Sequence, residues 1–510
     1  MIDATPLLRA YGHYRLGRLA RQVPAEVQQQ QLLRLVRHAA GTRFGRAHRF
    51  DRITSVADFQ QSVPLRDYDD FWRDYLAPSF PQVIDAAWPG RIPLFALTSG
   101  TTTGRTKYIP VTAEMCRSNR RAALDLLVHH CANRPDSRIL SGRNFMLGGS
   151  TALNQEAPGI HSGDLSGIAA ADVPWWARPY YFPPRDLALI ADWERKVEIL
   201  AERSLHERIL SINGTPSWLL LFFERLAALR PQAPRRLASF YPDLEMLVHG
   251  GISFAPYRDR FAAWLEGSHA ELREVYPASE GFIALADRGP GDGLRMLLDS
   301  GLFFEFIPVE ELEATAPRRH WIADAQTGVD YALAISSCAG LWAYVLGDVV
   351  RLINRDPPRL LVTGRTSYFL SAYGEHLNGE EIEQAVLEAS GAIGRQVADF
   401  SVGAAPLSRA TPQGRHVFVV EFAEGPPDPE ALAKFAADTD AALSRRNDDY
   451  RAHRTRGQML PPRVLAVPPG GFATWMKARG RLGGQNKVPR VINDAALFSA
   501  LLGFFEVISA

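Results

Sequence analysis

Two periods of apolar spacing alternate along the chain. Over residues 5–40 the apolar side chains recur at helical spacing, which predicts two packed helices. Helices are also predicted over 187–211, over 218–229 and over 113–131, the last introduced by Thr112 as an N-cap. Short apolar runs bounded by Gly, Pro or Asn are instead typical of buried strands. Such runs lie at residues 92–97, 246–251, 294–306, 331–337, 341–353 and 360–365, and residues 273–285 contain two of them separated by a turn.

The pattern changes near residues 366–372. Beyond them, strands and helices alternate over a shorter span, beginning with a helix that Asn378 can cap. We therefore expect an α/β (α+β) protein, with a large N-terminal domain of mixed sheets and packed helices over 1–367 and a smaller α+β domain over 368–510. The smaller domain is expected to contain strands at 397–402, 416–422 and 463–467 and a helix at 429–445.

The composition changes again between residues 145 and 184, where Gly, Pro and aromatic residues dominate. A long stretch without clear periodicity inside a globular chain is usually either disordered or a functional loop, and the aromatic residues argue against disorder. We interpret this segment as a binding loop that forms one wall of an apolar substrate pocket.

Composition narrows the class of partner. The 510 residues are 46% hydrophobic and 22% charged, with a formal net charge of +1. Proteins that bind nucleic acids or membrane surfaces normally carry an excess of basic residues. We therefore expect a small-molecule partner, and neither nucleic-acid binding nor membrane binding.

No signal peptide or membrane span is predicted. The three cysteines have no disulfide or metal spacing, so we expect packing residues in a cytoplasmic protein. A monomer is the simplest expectation, although the sequence does not fix the oligomeric state.

The densest candidate chemistry lies in LTSGTTTGRTK, residues 97–107. A buried strand that ends in hydroxyl residues, glycines and a lysine suits an oligophosphate, because backbone N–H groups and short hydroxyls can wrap the phosphates. The spacing is not that of a Walker loop, since Arg105 and Thr106 intervene before Lys107. The hypothesis is a nucleotide triphosphate site, and a polar surface turn is the alternative.

Three further positions carry candidate chemistry. Glu280 lies in a turn between two apolar runs, which is also what an ordinary hairpin corner would show. Gly347 and Asp348 are expected to break the strand predicted at 341–353, and a carboxylate at that place is costly to bury without a polar ligand or a hydrogen-bond donor. The pair Gly250 and Gly251 ends a predicted strand, as expected where the backbone approaches another group closely.

Three stretches in this order, TSGTTTGRTK, YPASEG and YVLGD, resemble the signature motifs of the Gretchen Hagen family of acyl acid amido synthetases, a branch of the acyl-adenylate-forming (ANL) enzymes. TGRTSYFLSAYGEHL is similar to the Gly-Arg hinge motif of that superfamily, and GGQNKVPR to the lysine-bearing C-terminal segment of the family. The resemblance covers nearly the whole chain. Ser367 and Ser371 depart from the acid and the lysine that are usual at the hinge, which leaves their effect open.

The resemblance implies a role for each matched residue. Glu280 would hold Mg²⁺, which commonly takes one or two protein carboxylates together with phosphate. Lys487, carried by the smaller domain, would be the catalytic cation, with a solvated lysine in a basic tail as the alternative. The implied phosphate contacts are Thr98, Ser99, Gly100, Thr101 and Thr102, assisted by Lys107. The implied adenine, α-phosphate and ribose contacts are Tyr276, Ser279, Asp348 and Arg365, and the implied substrate contacts are Gly250, Gly251 and Tyr344.

The implied reaction uses ATP and Mg²⁺ in two halves. A carboxylic acid is adenylated with release of pyrophosphate, and an amine, with an amino acid as the expected acceptor, then takes the acyl group. Rotation of the smaller domain about residues 364–374 is expected between the two halves. An acyl-CoA ligase would share the adenylation residues and is the first alternative, and a non-catalytic nucleotide-binding relative is the second. The identity of the acid stays open, because the helix at 113–131 does not match the substrate contacts of plant members. The acceptor stays open as well, because another amine or an alcohol would use the same acyl-AMP.

Overall fold

The computed structural model of the protein describes residues 2–99, 106–148, 153–188, 190, 192–251, 254, 257–312, 314–366, 370, 377–404, 414–456, 458–480 and 488–508. The chain divides into two compact units. Unit 1 comprises Met1–Thr98, Thr106–Leu346 and Val350–Val362, and unit 2 comprises Ser99–Arg105, Gly347–Val349 and Thr363–Ala510. The assignment of residues 1–367 and 368–510 to a catalytic domain and a lid domain stays a prediction.

Unit 1 is built from mixed α/β structure, as the sequence predicts. Its helices are α1 (Thr5–Ala20), α2 (Pro24–Ala39), α3 (Arg43–Ala47), α4 (Val56–Ser62), α5 (Tyr68–Phe71), α6 (Ala113–Asn133), α7 (Leu165–Ala171), α8 (Arg185–Ala188), α9 (Trp193–Ser204), α10 (Pro216–Leu229) and α11 (Arg258–Leu265). Its strands are β1 (Leu94–Ser99), β2 (Thr106–Val111), β3 (Arg143–Leu147), β4 (Asn154–Ala157), β5 (Ile160–Gly163), β6 (Tyr181–Phe182), β7 (Ile209–Gly214), β8 (Met246–Gly250), β9 (Glu271–Ala278), β10 (Gly281–Leu285), β11 (Leu294–Met296), β12 (Leu302–Pro308), β13 (His320–Trp321), β14 (Asp330–Ser337), β15 (Tyr344–Arg355) and β16 (Pro358–Arg365). Short parts of β1, β15 and β16 are grouped with unit 2. Among the described residues, no helix combines the length and the apolar character needed to cross a membrane.

Two sheets organise unit 1. The larger has twelve strands in the order β13-β12-β14-β15-β16-β11-β10-β9-β8-β7-β3-β6, and the smaller has the order β2-β1-β5-β4. Strands β6, β3, β7, β8 and β9 run parallel, while the pairs β9–β10, β10–β11 and β12–β14 are antiparallel. The connections from β7 to β8 and from β8 to β9 run through helices α10 and α11, because a parallel connection needs a crossover.

Strand β8 shows how the parallel strands are buried on both faces. Met246 and Val248 pack with residues of α1 and α6, whereas Leu247 packs with the aromatic side chains of α10 and α11. Alternate residues of a strand point to opposite faces, so both faces must be apolar where helices cover both. The continuous apolar run at 246–248 follows from this burial.

Helix α1 is attached to α6 by a buried ion cluster. Arg15 donates hydrogen bonds of 2.8 and 2.7 Å to the carboxylate of Asp125 and of 2.6 and 2.9 Å to that of Asp299. Arg15 is 3% exposed and Asp125 is fully buried.

The two predicted N-terminal helices are confirmed, with α1 packed against α6 and α2 against β12.

Unit 2 contains the smaller α+β region that the sequence predicts. Its elements are α12 (Gly379–Ala392), β17 (Val397–Ala404), β18 (His416–Phe422), α13 (Pro429–Arg446), α14 (Asp448–Thr455), β19 (Arg463–Val467), α15 (Gly471–Ala478), β20 (Val491–Ile492) and α16 (Ala495–Ile508). The strands form one sheet in the order β19-β18-β17-β20. The predicted cap of α12 is confirmed, because Asn378 and Glu381 each accept a hydrogen bond from the other's backbone N–H group at 2.9 Å.

Two predicted elements are wrong in extent. Residues 187–211 do not form one helix, because α9 ends at Ser204 and β7 begins at Ile209. The run ILSI fits a helix or a strand equally well, and parallel pairing with β3 and β8 decides for the strand. Residues 294–306 form two strands, since Gly301 between them has a φ of +79° and packs against Cys338.

Two other interpretations are corrected. Strand β15 continues through Gly347 and Asp348 rather than breaking there, although Gly347 has a φ of +84°. Residues 145–184 are not an irregular loop, since they contain β4, β5, α7 and β6.

Cys116, Cys131 and Cys338 are free and buried, so their interpretation as packing residues is confirmed.

Candidate active site

Strand β1 leads into the predicted phosphate loop. Thr98 and Ser99 are its last two residues, and the preceding Phe95 and Ala96 are fully buried in the main core of unit 1. The strand is therefore anchored up to Ala96, two residues before the first hydroxyl residue. The other predicted phosphate contacts, Gly100, Thr101 and Thr102, lie outside the described residues.

Lys107 lies on β2, next to an aromatic side chain that the sequence did not single out. Its Nζ is 5.2 Å from the centre of the Tyr68 ring. The hydroxyl of Tyr68 accepts a hydrogen bond of 2.8 Å from the backbone N–H of Tyr108. Burial raises the pKa of Tyr68 to about 12, so the phenol stays neutral at physiological pH. The ring therefore holds the lysine side chain by a cation–π contact.

The motif YPASEG forms the predicted hairpin turn. Antiparallel β9 and β10 flank Ser279 and Glu280. Tyr276 on β9 is 7% exposed and Glu280 is 9% exposed, while Ser279 is half-buried. A Cβ atom at Gly281 would lie 2.8 Å from Leu302 Cδ2, so the close packing of this corner requires glycine.

The carboxylate of Glu280 is contacted by Tyr344. The phenol donates a hydrogen bond of 3.4 Å to Glu280 Oε1. Tyr344 is 1% exposed, and burial together with the nearby Glu280 raises its pKa well above the ordinary value, so the phenol remains a donor. Tyr344 thus orients a predicted metal ligand, whereas the sequence predicts it as a substrate contact.

The surroundings of Glu280 are compatible with Mg²⁺. Within the described part of the chain, no group of three or more His, Cys, Asp or Glu side chains has the arrangement of a metal site. Magnesium bound mainly by phosphate oxygens and water needs only one or two protein carboxylates. A single oriented carboxylate therefore fits a metal ion that arrives with a nucleotide.

The predicted diglycine closes strand β8. Gly250 pairs with Val275, and a Cβ atom at Gly250 would lie 2.2 Å from the Val275 carbonyl oxygen. Gly251 has a φ of +84°. Both positions therefore require glycine, and they bring the end of β8 against the strand that carries Tyr276.

Two polar residues beside the diglycine were missed by the sequence analysis. His249 is 3% exposed and stacks on Phe254 with ring centres 3.9 Å apart. Burial lowers the pKa of His249 to about 4 and raises the pKa of Glu274, its partner in the register of β9. The sequence signal for this pair was a histidine inside the apolar run of β8. The spacing of residues along the chain does not predict that Glu274 of β9 lies beside it.

In unit 2, the predicted ribose residues lie together. Arg365 Nε is 2.9 Å from Asp348 Oδ1. The backbone N–H of Thr366 donates to the Gly347 carbonyl at 2.8 Å, which fixes the two segments side by side. A carboxylate has several acceptor positions, so pairing with Arg365 is compatible with binding of hydroxyl groups. The predicted catalytic Lys487 and the hinge residues Ser367 and Ser371 lie outside the described residues.

Comparison with solved structures identifies the class of fold. An acyl acid amido synthetase, GH3.15, matches with a TM-score of 0.80 and 17% sequence identity over 96% of this chain and 94% of that chain. A 2-hydroxyisobutyryl-CoA ligase, solved in the postadenylation state with an acyl-AMP, matches with a TM-score of 0.62 and 17% identity over 94% of this chain and 91% of that chain. The fold is that of the adenylate-forming ligases, and the mixed α/β expectation with a large and a small domain is confirmed.

The sequence comparison gives the family. The GH3 family N-terminal, central and C-terminal domains match residues 18–160, 295–365 and 380–496 in that order. These matches span more than half of the chain, and the protein belongs to the GH3 family, which confirms the resemblance drawn from the motifs. Indole-3-acetic acid-amido synthetase GH3.3 of Arabidopsis thaliana is 24% identical over 240 residues, which are 44% of this chain and 40% of that protein. The matched part of the chain spans about half or less of the length of the curated relatives.

Proposed function

We propose that this protein is an ATP-dependent acyl acid amido synthetase. It adenylates a carboxylic acid to acyl-AMP with release of pyrophosphate, and then transfers the acyl group to an amine, with an amino acid as the acceptor. The observation that carries the proposal is the succession of three GH3 domain matches in one chain with the fold of an acyl acid amido synthetase. The three buried, unpaired cysteines support the cytoplasm as its compartment.

In the first half-reaction, a carboxylate oxygen attacks the α-phosphorus of ATP, and the bond from that phosphorus to the pyrophosphate oxygen breaks. Two anions must meet, so cations and N–H donors have to offset their repulsion. We assign this task to the loop that begins at Thr98 and Ser99, with Lys107 held nearby by Tyr68. Lys487 is the proposed cation at the reacting phosphate.

The nucleotide contacts are proposed residue by residue from the motifs that resemble those of the family. Tyr276 is proposed to pack on the adenine and Ser279 to bind near the α-phosphate. Asp348 and Arg365, which form an ion pair, are proposed to bind the ribose and the neighbouring phosphate. Glu280, oriented by Tyr344, is proposed to hold Mg²⁺, which when bound neutralises phosphate charge.

In the second half-reaction, the amine nitrogen attacks the acyl carbon, the bond from that carbon to AMP breaks, and the nitrogen loses a proton. Gly250 and Gly251 are also proposed as substrate contacts, since they end β8 beside the strand that carries Tyr276. Rotation of the smaller domain about residues 364–374 is the proposed change between the two halves.

The test is acid-dependent release of pyrophosphate. The full chain is incubated with ATP, Mg²⁺ and a panel of aromatic and aliphatic carboxylic acids, and amino acids or CoA are then added separately. We expect release with a subset of acids and an amide product by mass spectrometry. A thioester with CoA and no amide would make the protein an acyl-CoA ligase. Absence of acid-dependent pyrophosphate from the whole panel would leave a non-catalytic nucleotide-binding protein.

A further inference from the structure

A set of side-chain contacts in unit 2 fixes the chain just beyond the proposed catalytic lysine. Lys487 lies three residues before Arg490 in the sequence, and the residues that follow Arg490 form β20 against β17. The pairing covers two residues of each strand. A parallel pair of that length supplies few backbone hydrogen bonds, so the position of this part of the chain depends also on the side chains that reach it from β17.

Arg490 is attached to β17 through its side chain. It is 8% exposed, and its Nη1 donates hydrogen bonds of 2.5 Å to Asp399 Oδ1 and of 3.3 Å to the Phe400 carbonyl oxygen. The guanidinium lies over the Phe400 ring, with Cζ 4.5 Å from the ring centre. Glu383 Oε1 of α12 lies 4.0 Å from Nε. Charge and stacking therefore hold the planar guanidinium in one orientation.

Two further hydrogen bonds fix the same residues to β17. The hydroxyl of Ser401, which is fully buried, donates a hydrogen bond of 2.7 Å to the Pro489 carbonyl oxygen. The backbone N–H of Val402 donates one of 2.8 Å to the Arg490 carbonyl oxygen. One residue separates Lys487 from Pro489 in the sequence, and consecutive Cα atoms are about 3.8 Å apart. The attachment of Pro489 and Arg490 therefore limits how far the backbone of the lysine can lie from β17.

The carboxylate of Asp399 holds Arg490 in a place where other carboxylates oppose its charge. It faces Glu421 in the register of β18, and Glu383 lies on the neighbouring α12. Burial and these two carboxylates raise the pKa of Asp399 to about 6, although Arg490 acts in the opposite direction. The ion pair is therefore intact at neutral pH and weakens as the pH falls below 6.

We propose that Asp399 and Ser401 are positioning residues for adenylation, which act by holding the Arg490 end of the lysine-bearing segment on β17. Neither side chain needs to touch the nucleotide or the acid. Their effect reaches the reaction through Lys487, so it belongs to the half-reaction in which this lysine serves. The inference rests on the proposed function, because Lys487 has its role only where an acyl-AMP is formed.

The first test measures the two half-reactions of the full chain separately, with the acid that gives the fastest pyrophosphate release and the acceptor that gives product. Asp399→Asn keeps a hydrogen-bond acceptor and removes the charge. We expect its kcat for pyrophosphate release at pH 8 to fall about tenfold, with the KM for ATP within twofold. Transfer from chemically supplied acyl-AMP to the acceptor should stay within twofold, which a general loss of folding would not allow. An equal loss in both half-reactions would overturn the proposal.

A double-mutant cycle tests whether the effect passes through Lys487. Asp399→Asn is combined with Lys487→Ala, and the residual pyrophosphate release is followed over long incubations. The added change should alter the remaining rate less than twofold, because the effects of residues that act as a unit are not additive. A further tenfold loss would refute the proposal. Ser401→Ala, expected to lower release at least threefold by itself, passes through the same cycle and decides the question if Asp399→Asn fails to fold.

The pH profile tests the charge of Asp399. The ratio of the kcat of the native protein to that of Asp399→Asn should fall from about tenfold at pH 8 to about twofold at pH 5, because about nine-tenths of the Asp399 carboxyl groups are protonated one unit below a pKa of about 6. Titration of ATP, of the acid and of other side chains affects both proteins and cancels in the ratio. A ratio that is independent of pH would overturn the proposal.

The matched control is Asp440→Asn. Asp440 of α13 also forms an ion pair inside unit 2, with Arg454 of α14, and the side-chain exposures of 20% and 19% are close to the 20% and 10% of Asp399 and Arg490. Asp440→Asn should leave both half-reactions unchanged, and a tenfold loss of adenylation in it would overturn the proposal. Absence of acid-dependent pyrophosphate release from the native chain would refute the proposed function and this inference with it. Release that is unchanged in Asp399→Asn and Ser401→Ala would refute this inference alone.

Discussion

Replacing Asp125 by leucine should destabilise the protein more than any change at its surface. Arg15 is buried and makes two of its four short hydrogen bonds to Asp125. Without them, the guanidinium keeps only Asp299, whose side chain is 16% exposed. Removing one partner of a buried ion pair typically costs about 3–5 kcal/mol, because the other charge stays buried without full compensation.

Replacing Arg15 by methionine as well should restore much of the free energy of unfolding that is lost in Asp125→Leu. In the double variant Arg15→Met and Asp125→Leu the two most deeply buried charges are gone, and the carboxylate of Asp299, which is 16% exposed, keeps Arg121 and Arg18 as nearby positive charges. Replacement of a whole buried pair by apolar groups of similar size is often neutral or stabilising. We therefore expect the double variant to be more stable than Asp125→Leu alone.

The assay is urea and thermal unfolding of each variant, followed by far-UV circular dichroism. The matched control is Arg120→Met, which breaks the half-exposed ion pair of α6 with Asp172 and should cost at most about 1 kcal/mol. A loss below about 1 kcal/mol for Asp125→Leu, or a double variant as unstable as the sum of the two single variants, would refute the reasoning.

The remaining predictions concern pH and catalysis. Burial lowers the pKa of His249 in the folded state to about 4, so the folding free energy that depends on its neutral form is complete above its unfolded pKa of about 6.5 and is lost as the pH falls towards 4. In His249→Phe, where a phenyl ring replaces the imidazole stacked on Phe254, the free energy of unfolding should vary less with pH over this interval. The same pH dependence in the variant and the native protein would contradict this prediction. Glu280→Gln should raise the Mg²⁺ concentration needed for half-maximal pyrophosphate release at least tenfold, whereas an unaltered Mg²⁺ titration would remove the metal role of Glu280. Lys487→Ala should lower adenylation at least a hundredfold while a fluorescent ATP analogue still binds; unchanged turnover would remove the catalytic role of Lys487.

The parts of the fold that local chemistry decides were predictable. Thr112 caps α6 and Asn378 caps α12, because short polar side chains at these positions satisfy the first free N–H groups of a helix. The turn at Glu280 also follows from its neighbours, since glycine at 281 and apolar runs on both sides favour a hairpin. Elements were misjudged where tertiary pairing decides, as at β7, whose sequence fits either state until β3 and β8 lie beside it.

The candidate site was predictable residue by residue but not as an arrangement. The motifs identify Lys107, Glu280 and Asp348, yet the contact of Lys107 with Tyr68 and of Glu280 with Tyr344 joins residues far apart in the chain. No spacing rule reports such contacts.

The burial of the three native thiols makes this chain well suited to site-specific spectroscopy. Burial raises the pKa of Cys116 to about 11 and of Cys338 to about 12, and it raises that of Cys131 as well, so little reactive thiolate exists at neutral pH. Cysteines introduced at exposed positions, for example in Asp51→Cys and Glu430→Cys, would then be the groups that react with a maleimide dye. Energy transfer between two such dyes, one on each unit, would follow their separation through both half-reactions without prior removal of the native cysteines.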